Sequence, residues 1–414
     1  MIKKIILGSL FLFTLHTFAQ EGTASPYSFY GIGDVKFKGT IENRAMGGLG
    51  ILADSIHYNI QNSASLASLK LTTFSVASTQ NFYTFKTDSQ SETAQRTNLD
   101  YLTIAFPAGK KWGVSAGIMP YSSVGYKILS TNQTTLETLR FTGKGGINRV
   151  FLGAGYALNK KFSVGADLSY NFGKTEANAA VFSNPNLQTG SRLLTTSSLT
   201  GVSLNTSAIF KTKLNTYDFV TSASFSPSFN LKSVNTENIG TTLFSSTGED
   251  VIAESQDIAV ENSTLKLPTK FSFGSGIGIT KKWFVGFEST FQGKSEFGNT
   301  SKSNVSYESS TKLSLGGYYI PKYNSFSNYF ERVNYRAGFR YEKTGLVLNN
   351  NSITDKAFTF GLGLPVGGNL SNVNIGVELG SRGTTNAGLI KENYATISIG
   401  LSFNDRWFIK RKYD

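Results

Sequence analysis

Hydrophobic and polar residues alternate along most of this chain with a period of two. After Asn159-Lys160-Lys161, the residues Phe162, Val164, Ala166, Leu168 and Tyr170 fall on one face, and Ser163, Gly165, Asp167, Ser169 and Asn171 on the other. After Thr280-Lys281-Lys282, Trp283, Val285, Phe287 and Phe291 oppose Phe284, Gly286, Glu288, Thr290 and Gln292. Such a period is the strand signature, because successive side chains point to opposite sides of a sheet. The segments ahead of the basic pairs alternate too, with Val150, Leu152, Ala154 and Tyr156 before one and Phe271, Phe273, Ile277 and Ile279 before the other. The motifs "GKKWGVS" at 109–115, "NKKFSVG" at 159–165 and "TKKWFVG" at 280–286 therefore predict tight turns between long strands.

Alternation over ten residues suits a tilted strand crossing a bilayer, which needs about 9–11. Strands of a soluble sandwich average about 5–6 residues and turn polar faces to water. Here the face opposite the apolar one is small and polar, as lipid outside and a wet lumen inside require. Further turns are expected near 211–216, 321–331 and 366–371, and six short turns imply about 14 strands. The opposite connections, starting at Lys86, Phe182 and Gln292, read as longer polar loops, and 233–265 as extended strands and a loop outside the membrane. At the turns, Trp112, Phe162, Trp283 and Trp407 are candidates for an interfacial aromatic girdle, with lysines beside them in headgroup water. The expected fold is all-β: a membrane-spanning antiparallel up-and-down β-barrel over 71–403. A basic periplasmic tail at 404–414 would follow it.

Composition narrows the setting. Lys3 and Lys4 precede an apolar stretch that ends at Thr17-Phe18-Ala19, the pattern of a signal peptide over 1–19 cleaved before Gln20. That stretch is shorter than the roughly 20 residues a spanning helix needs. With 32 Phe, 19 Tyr, 42 Gly, only 8 Pro and 16% charged residues, the exported chain is built for strands. It has no Cys, so disulfides and thiolate metal sites are excluded. Without Lys3 and Lys4, 38 basic residues face 27 acidic ones, a net charge of +11. The bases are scattered rather than gathered in a stripe, which argues against nucleic acid and for membrane lipids and lipopolysaccharide as partners. The expected location is the outer membrane of a Gram-negative bacterium.

Residues 20–70 do not alternate like a spanning strand. A barrel of about 14 strands is too wide for wall side chains alone to fill, so this segment is expected to plug the lumen. "GIGDVKFKG" lacks the βαβ context of a nucleotide-binding fingerprint. The stretch "NRAMGGLGILADSIHYNIQNSASLASL" resembles the start of the FadL long-chain fatty-acid channel family, whose pattern is close to "AMGGAG…ADD…NPA.LA". The matching residues are Ala45, Met46, Gly47, Gly48, Gly50, Ala53, Asp54, Asn62, Ala64, Leu66 and Ala67. Ser63 stands where the family has Pro, and Ser55 where a second acid is common. The resemblance implies a 14-stranded barrel with an N-terminal hatch that carries hydrophobic molecules inward.

Two functional readings follow. The first is passive uptake of a hydrophobic small-molecule ligand resting against Phe29, Tyr30, Met46, Ile51 and Leu52, gated by the plug. The second is a non-transporting barrel that scaffolds an outer-membrane assembly or secretion complex, with complex partners on its loops. Arg149, Asp167, Glu288, Arg336, Arg340, Glu342, Glu378 and Arg382 fall on the faces opposite the apolar ones. Arg facing lipid at the midplane would cost about 2–4 kcal/mol, so these charges are expected in the lumen. There they would pair and pin the hatch, with Arg44 and Asp54 as its own contributors. His57 is the lone His of the mature chain, which leaves no catalytic group, metal site or cofactor to propose.

Overall fold

The computed structural model describes residues 22–131, 137–182, 189–243, 251–297, 304–366 and 371–405. The expected signal peptide, Trp407 and the basic tail from residue 406 lie outside the described residues.

Among the described residues, 14 antiparallel strands close into one barrel. The first six are β1 (Thr72–Lys86), β2 (Ser91–Pro107), β3 (Trp112–Thr131), β4 (Thr138–Ala157), β5 (Phe162–Phe182) and β6 (Thr189–Leu214). The next two are long and interrupted. β7 runs as Tyr217–Ser226 and Phe229–Leu243, broken at Pro227, and β8 returns as Val251–Ile258, Ser263–Leu267 and Lys270–Ile279. β9 (Trp283–Gln292), β10 (Val305–Tyr307 and Ser310–Tyr319), β11 (Asn334–Leu348), β12 (Asn351–Val366), β13 (Ser371–Arg382) and β14 (Lys391–Asp405) complete the circuit. Closure is made by β14 on β1, from Lys391↔Lys86 to Asp405↔Thr72.

Alternation decides which way each side chain points. On β9, Val285, Phe287 and Phe291 are each about half exposed on the lipid side, while Gly286, Glu288 and Thr290 are buried inside. The same division holds on β5, where Leu168 and Tyr170 face out and Asp167, Ser169 and Asn171 face in. Among the described residues, the connections at 108–111, 158–161, 215–216, 280–282 and 320–333 all fall on one side, the side that the three basic and aromatic motifs mark. Lys281 takes a positive φ in its turn. Across the barrel, Asn349 and Asn350 both have positive φ, the hairpin geometry that matches strand twist.

The wall is uneven, and two departures bear on function. The β2–β3 ladder stops at Leu102↔Ile118, although both strands continue. Beyond that point β3 shifts register between Pro120 and Ser122 and pairs inward with a two-residue hatch strand, Asp34–Val35, at Ser123 and Ser122. On the far side, β6 has 26 residues and β9 only 10, so the β6–β8 sheet rises well above its neighbours. The segment after Lys86 corrects the expected long loop. Only 87–90 turn, and Ser91 already begins β2, with Lys86↔Ser91 paired. Its polar composition reflects a strand continuing above the lipid, where no apolar face is required.

A hatch seated in a charged lumen

Residues 22–71 precede β1 and lie inside the barrel. They form short turns of helix and extended chain: Pro26–Phe29, Asp34–Val35, Ile41–Arg44 and Ser63–Ser68. Thr40 caps the third element by accepting from Asn43 N, and Asn62 caps the last by accepting from Ala64 N.

The hatch meets the wall through backbone on opposite sides. On one side the "AMGG" segment lies on inward-facing wall glycines. A Cβ on Gly316 would stand 2.3 Å from Met46 O, and one on Gly338 would stand 2.2 Å from Gly47 N. Gly47 itself has φ +69° and donates its N–H to Thr359 Oγ1 at 2.9 Å. On the other side "NSASLA" lies on Gly113, Gly155 and Gly165. A Cβ on Gly165 would come within 2.4 Å of Ala64 N, and one on Gly113 within 2.1 Å of Leu66 O. Only residues without side chains let two backbones approach so closely.

Charged groups tie the same segments to the wall. Lys38 pairs with Asp167 of β5 at 2.9 Å, and that carboxylate also accepts from Ser63 Oγ at 3.0 Å and Asn205 Nδ2 at 2.9 Å. Asp34 pairs with Arg382 of β13 at 2.9 Å and with Lys36 at 3.0 Å. Burial opposes its charge, but Lys36 and Arg382 hold the Asp34 carboxyl below the usual carboxylate range. Arg44 lies 3.4 Å from Asp100 of β2. Gly50 N donates to Glu288 at 2.8 Å, and Ser25 Oγ donates to Glu392. Glu42 accepts from Asn374, whose amide oxygen accepts from Arg336 at 3.0 Å.

Every expected lumen charge faces inward, but their partners divide. Asp167, Glu288 and Arg382 bind the hatch directly, and Arg336 reaches it through Asn374. Arg340 ties wall to wall instead, 2.8 Å from Glu378 and 3.2 Å from Asp355. Arg149 stacks on Tyr121 at 4.3 Å and donates to Asn171 at 3.0 Å. Glu342 faces Lys312 across the β10–β11 ladder. Asp54 corrects the expectation made for it: its carboxylate is 2.7 Å from His57 Nδ1 within the hatch. Burial pulls the His57 pKa down, yet Asp54 beside it leaves it raised overall, and His57 Nε2 meets Asn372 at 3.0 Å.

The expected apolar ligand contacts are not brought together. Phe29 stacks edge-on with Tyr30 at 5.2 Å and Tyr126 at 5.0 Å. Ile51 and Leu52 join a separate cluster with Ile209, Val220 and Phe284, and Met46 is buried under the wall glycines. Beside the hatch lies a cavity of about 390 Å³ that includes Tyr30 but none of the other four. Seven cationic side chains (Lys36, Lys38, Arg149, Lys270, Lys312, Arg340, Arg382) and six acids (Asp34, Asp167, Glu288, Glu308, Glu342, Asp355) line it. Sequence reasoning missed the wall glycines and Lys38. Both were visible in principle, as glycines at inward strand positions and as a lysine flanking "DVKFKG". At the turn side Trp112 packs on Tyr156 at 4.6 Å and Phe162 on Phe210 at 4.6 Å, each bridging adjacent strands, while Trp283 of β9 reaches past β8 to Tyr217 of β7 at 6.0 Å.

Solved structures share this architecture. The Ralstonia pickettii toluene transporter TbuX aligns with TM-score 0.61 and 13% identity over 89% of this chain and 99% of its own. The Pseudomonas putida toluene transporter TodX gives 0.60 and 14% over 91% and 100%. A Pseudomonas aeruginosa FadL homologue gives 0.52 and 11% over 86% and 97%. The fold is thus that of the FadL-like outer-membrane barrels. No curated protein matches the sequence. A family model does, from residue 1 to residue 414, and by that match the chain belongs to the BamG family.

Proposed function

We propose that this chain is a closed outer-membrane barrel acting as a structural subunit of a larger envelope assembly, rather than as a channel for apolar molecules. The observation that carries this reading is the cavity lining. Sites for apolar ligands are mostly apolar, with few polar groups. Here a hydrophobic solute would meet 13 charged side chains interspersed among apolar ones such as Ile32, Phe37, Phe229 and Phe297, beside a hatch whose backbone rests on wall glycines at both sides. Moving the hatch would break the buried ties of Lys38, Asp34 and Gly50 together, and burial without their partners is costly for such groups.

Passive uptake, the first reading taken from sequence, keeps two observations in its favour. The β2–β3 ladder ends early, as a sideways exit would need, and two of the similar structures are toluene transporters. Against this, the hatch strand Asp34–Val35 bonds to β3 at that place. Proteoliposomes carrying the purified barrel decide between the two. Labelled toluene or fatty acid should enter no faster than into empty liposomes. Saturable uptake abolished by charge-preserving hatch crosslinks would reinstate the channel.

A further inference from the structure

The upper segment of β8, Val251–Ile258, has all eight residues exposed, on both of its faces. It pairs with β7 on one edge, from Val251↔Leu243 to Ile258↔Glu237. Along its other edge no strand pairs among the described residues. The ladder to β9 begins only lower down, at Lys270↔Gln292, and above that the sole contact is a single bridge at Lys266↔Glu296. Half the backbone N–H and C=O groups of such an edge point away from the sheet, a row of unmet donors and acceptors that fits another extended chain.

Two further features specify what fits. Val251, Ile252 and Ile258 are large apolar side chains left 60%, 45% and 41% exposed. The described residues between Ser233 and Thr264 carry Glu237, Glu254, Asp257 and Glu261 and no Lys or Arg, in a chain whose formal net charge is +13. The edge is thus half apolar and locally acidic, with Lys232 and Lys266 just outside it, within a basic molecule.

We infer that Val251–Ile258 is a docking edge that takes up an extended, basic segment of a neighbouring protein as an added strand. Main-chain bonds would supply affinity, and alternate side chains with the acidic surround would supply selection. Lipopolysaccharide is anionic and has no polypeptide backbone to complete the ladder. A second copy would bring the same acidic surround (Glu237, Glu254, Asp257 and Glu261) up to itself, like charge towards like, which is unfavourable. The inference rests on the reading of this barrel as a subunit and names the kind of partner that it meets. The competing outcome is a guarded edge, blunted by its charges and by the register shift between Ile252 and Glu254.

Amide hydrogen exchange separates these outcomes. Exchange over 251–258 is measured in native outer membranes and in the barrel purified in detergent, and again for the E254K/D257K variant in both settings. About half of these amides should exchange at least tenfold more slowly in native membranes. The charge-reversed variant, with its unfolding temperature unchanged, should lose that protection. Equal exchange in both settings, with the barrel still co-purifying with partner proteins, would overturn the docking edge alone and leave a guarded edge. A barrel that is solitary in native membranes would overturn the edge and the subunit reading together.

Discussion

Replacing Gly338 with Leu will unseat the hatch. Any Cβ at that position stands 2.2 Å from Gly47 N and 2.3 Å from Met46 C, and both are backbone atoms that no rotamer change can move aside. Gly47 itself sits tight on the wall at φ +69°, where a Cβ of its own would stand 2.7 Å from Phe339 O and 2.8 Å from Leu315 O. Overpacking a tight site costs about 1–3 kcal/mol where neighbours can yield, and more where they cannot. The three atoms nearest to that Cβ all belong to the hatch, so the cost falls there first. Protease added to the long-loop side should then cut within 40–62, and cells should become at least tenfold more sensitive to large antibiotics such as vancomycin. Gly376→Ala is the graded control, because its nearest neighbour is the Ile41 Cγ2 methyl at 3.1 Å, a side-chain tip that can shift. A Gly338→Leu barrel that stays sealed and protease-resistant would show that the glycine contacts do not hold the hatch.

The second large effect is expected at Asp167. Its carboxylate collects Lys38, Ser63 and Asn205, so one wall residue fastens two hatch segments that are 25 positions apart in sequence. Asp167→Ala leaves the Lys38 ammonium, 22% exposed at its side chain, without its counter-charge. Breaking a fully buried pair typically costs about 3–5 kcal/mol, and this partly buried one costs less. Thermal unfolding in detergent should fall by several degrees and the hatch should become protease-sensitive. The double variant Lys38→Met with Asp167→Leu should recover much of the stability, because removing both charges removes the unpaired one. If Asp167→Ala alone unfolds like the wild type, the ion pair is a bystander.

The barrel was legible in the sequence because lipid outside and water inside impose a strict period of two. The same constraint put Arg149, Arg336 and Arg382 in the lumen before any partner was known. It carries no information on who pairs with whom across the lumen. Asp34 meets Arg382, 348 positions away, through topology alone. Asp54 went instead to His57, three residues along, because a local partner is reached without closing a long loop. Residue type alone groups Phe29, Tyr30, Met46, Ile51 and Leu52, whereas hatch packing is set by where wall glycines admit backbone. Above the lipid, alternation of apolar residues stops while strand pairing continues. This is why the chain after Lys86 read as loop and folded as strand.

The central claim is that this barrel works as a closed member of an assembly. It is tested most directly by solubilising native outer membranes in mild detergent, isolating the barrel through a tag on an exposed loop, and measuring the mass and composition of what comes with it. The account predicts a complex of fixed stoichiometry in which this chain is one subunit. A lone barrel of about 45 kDa that takes up labelled fatty acid would contradict it.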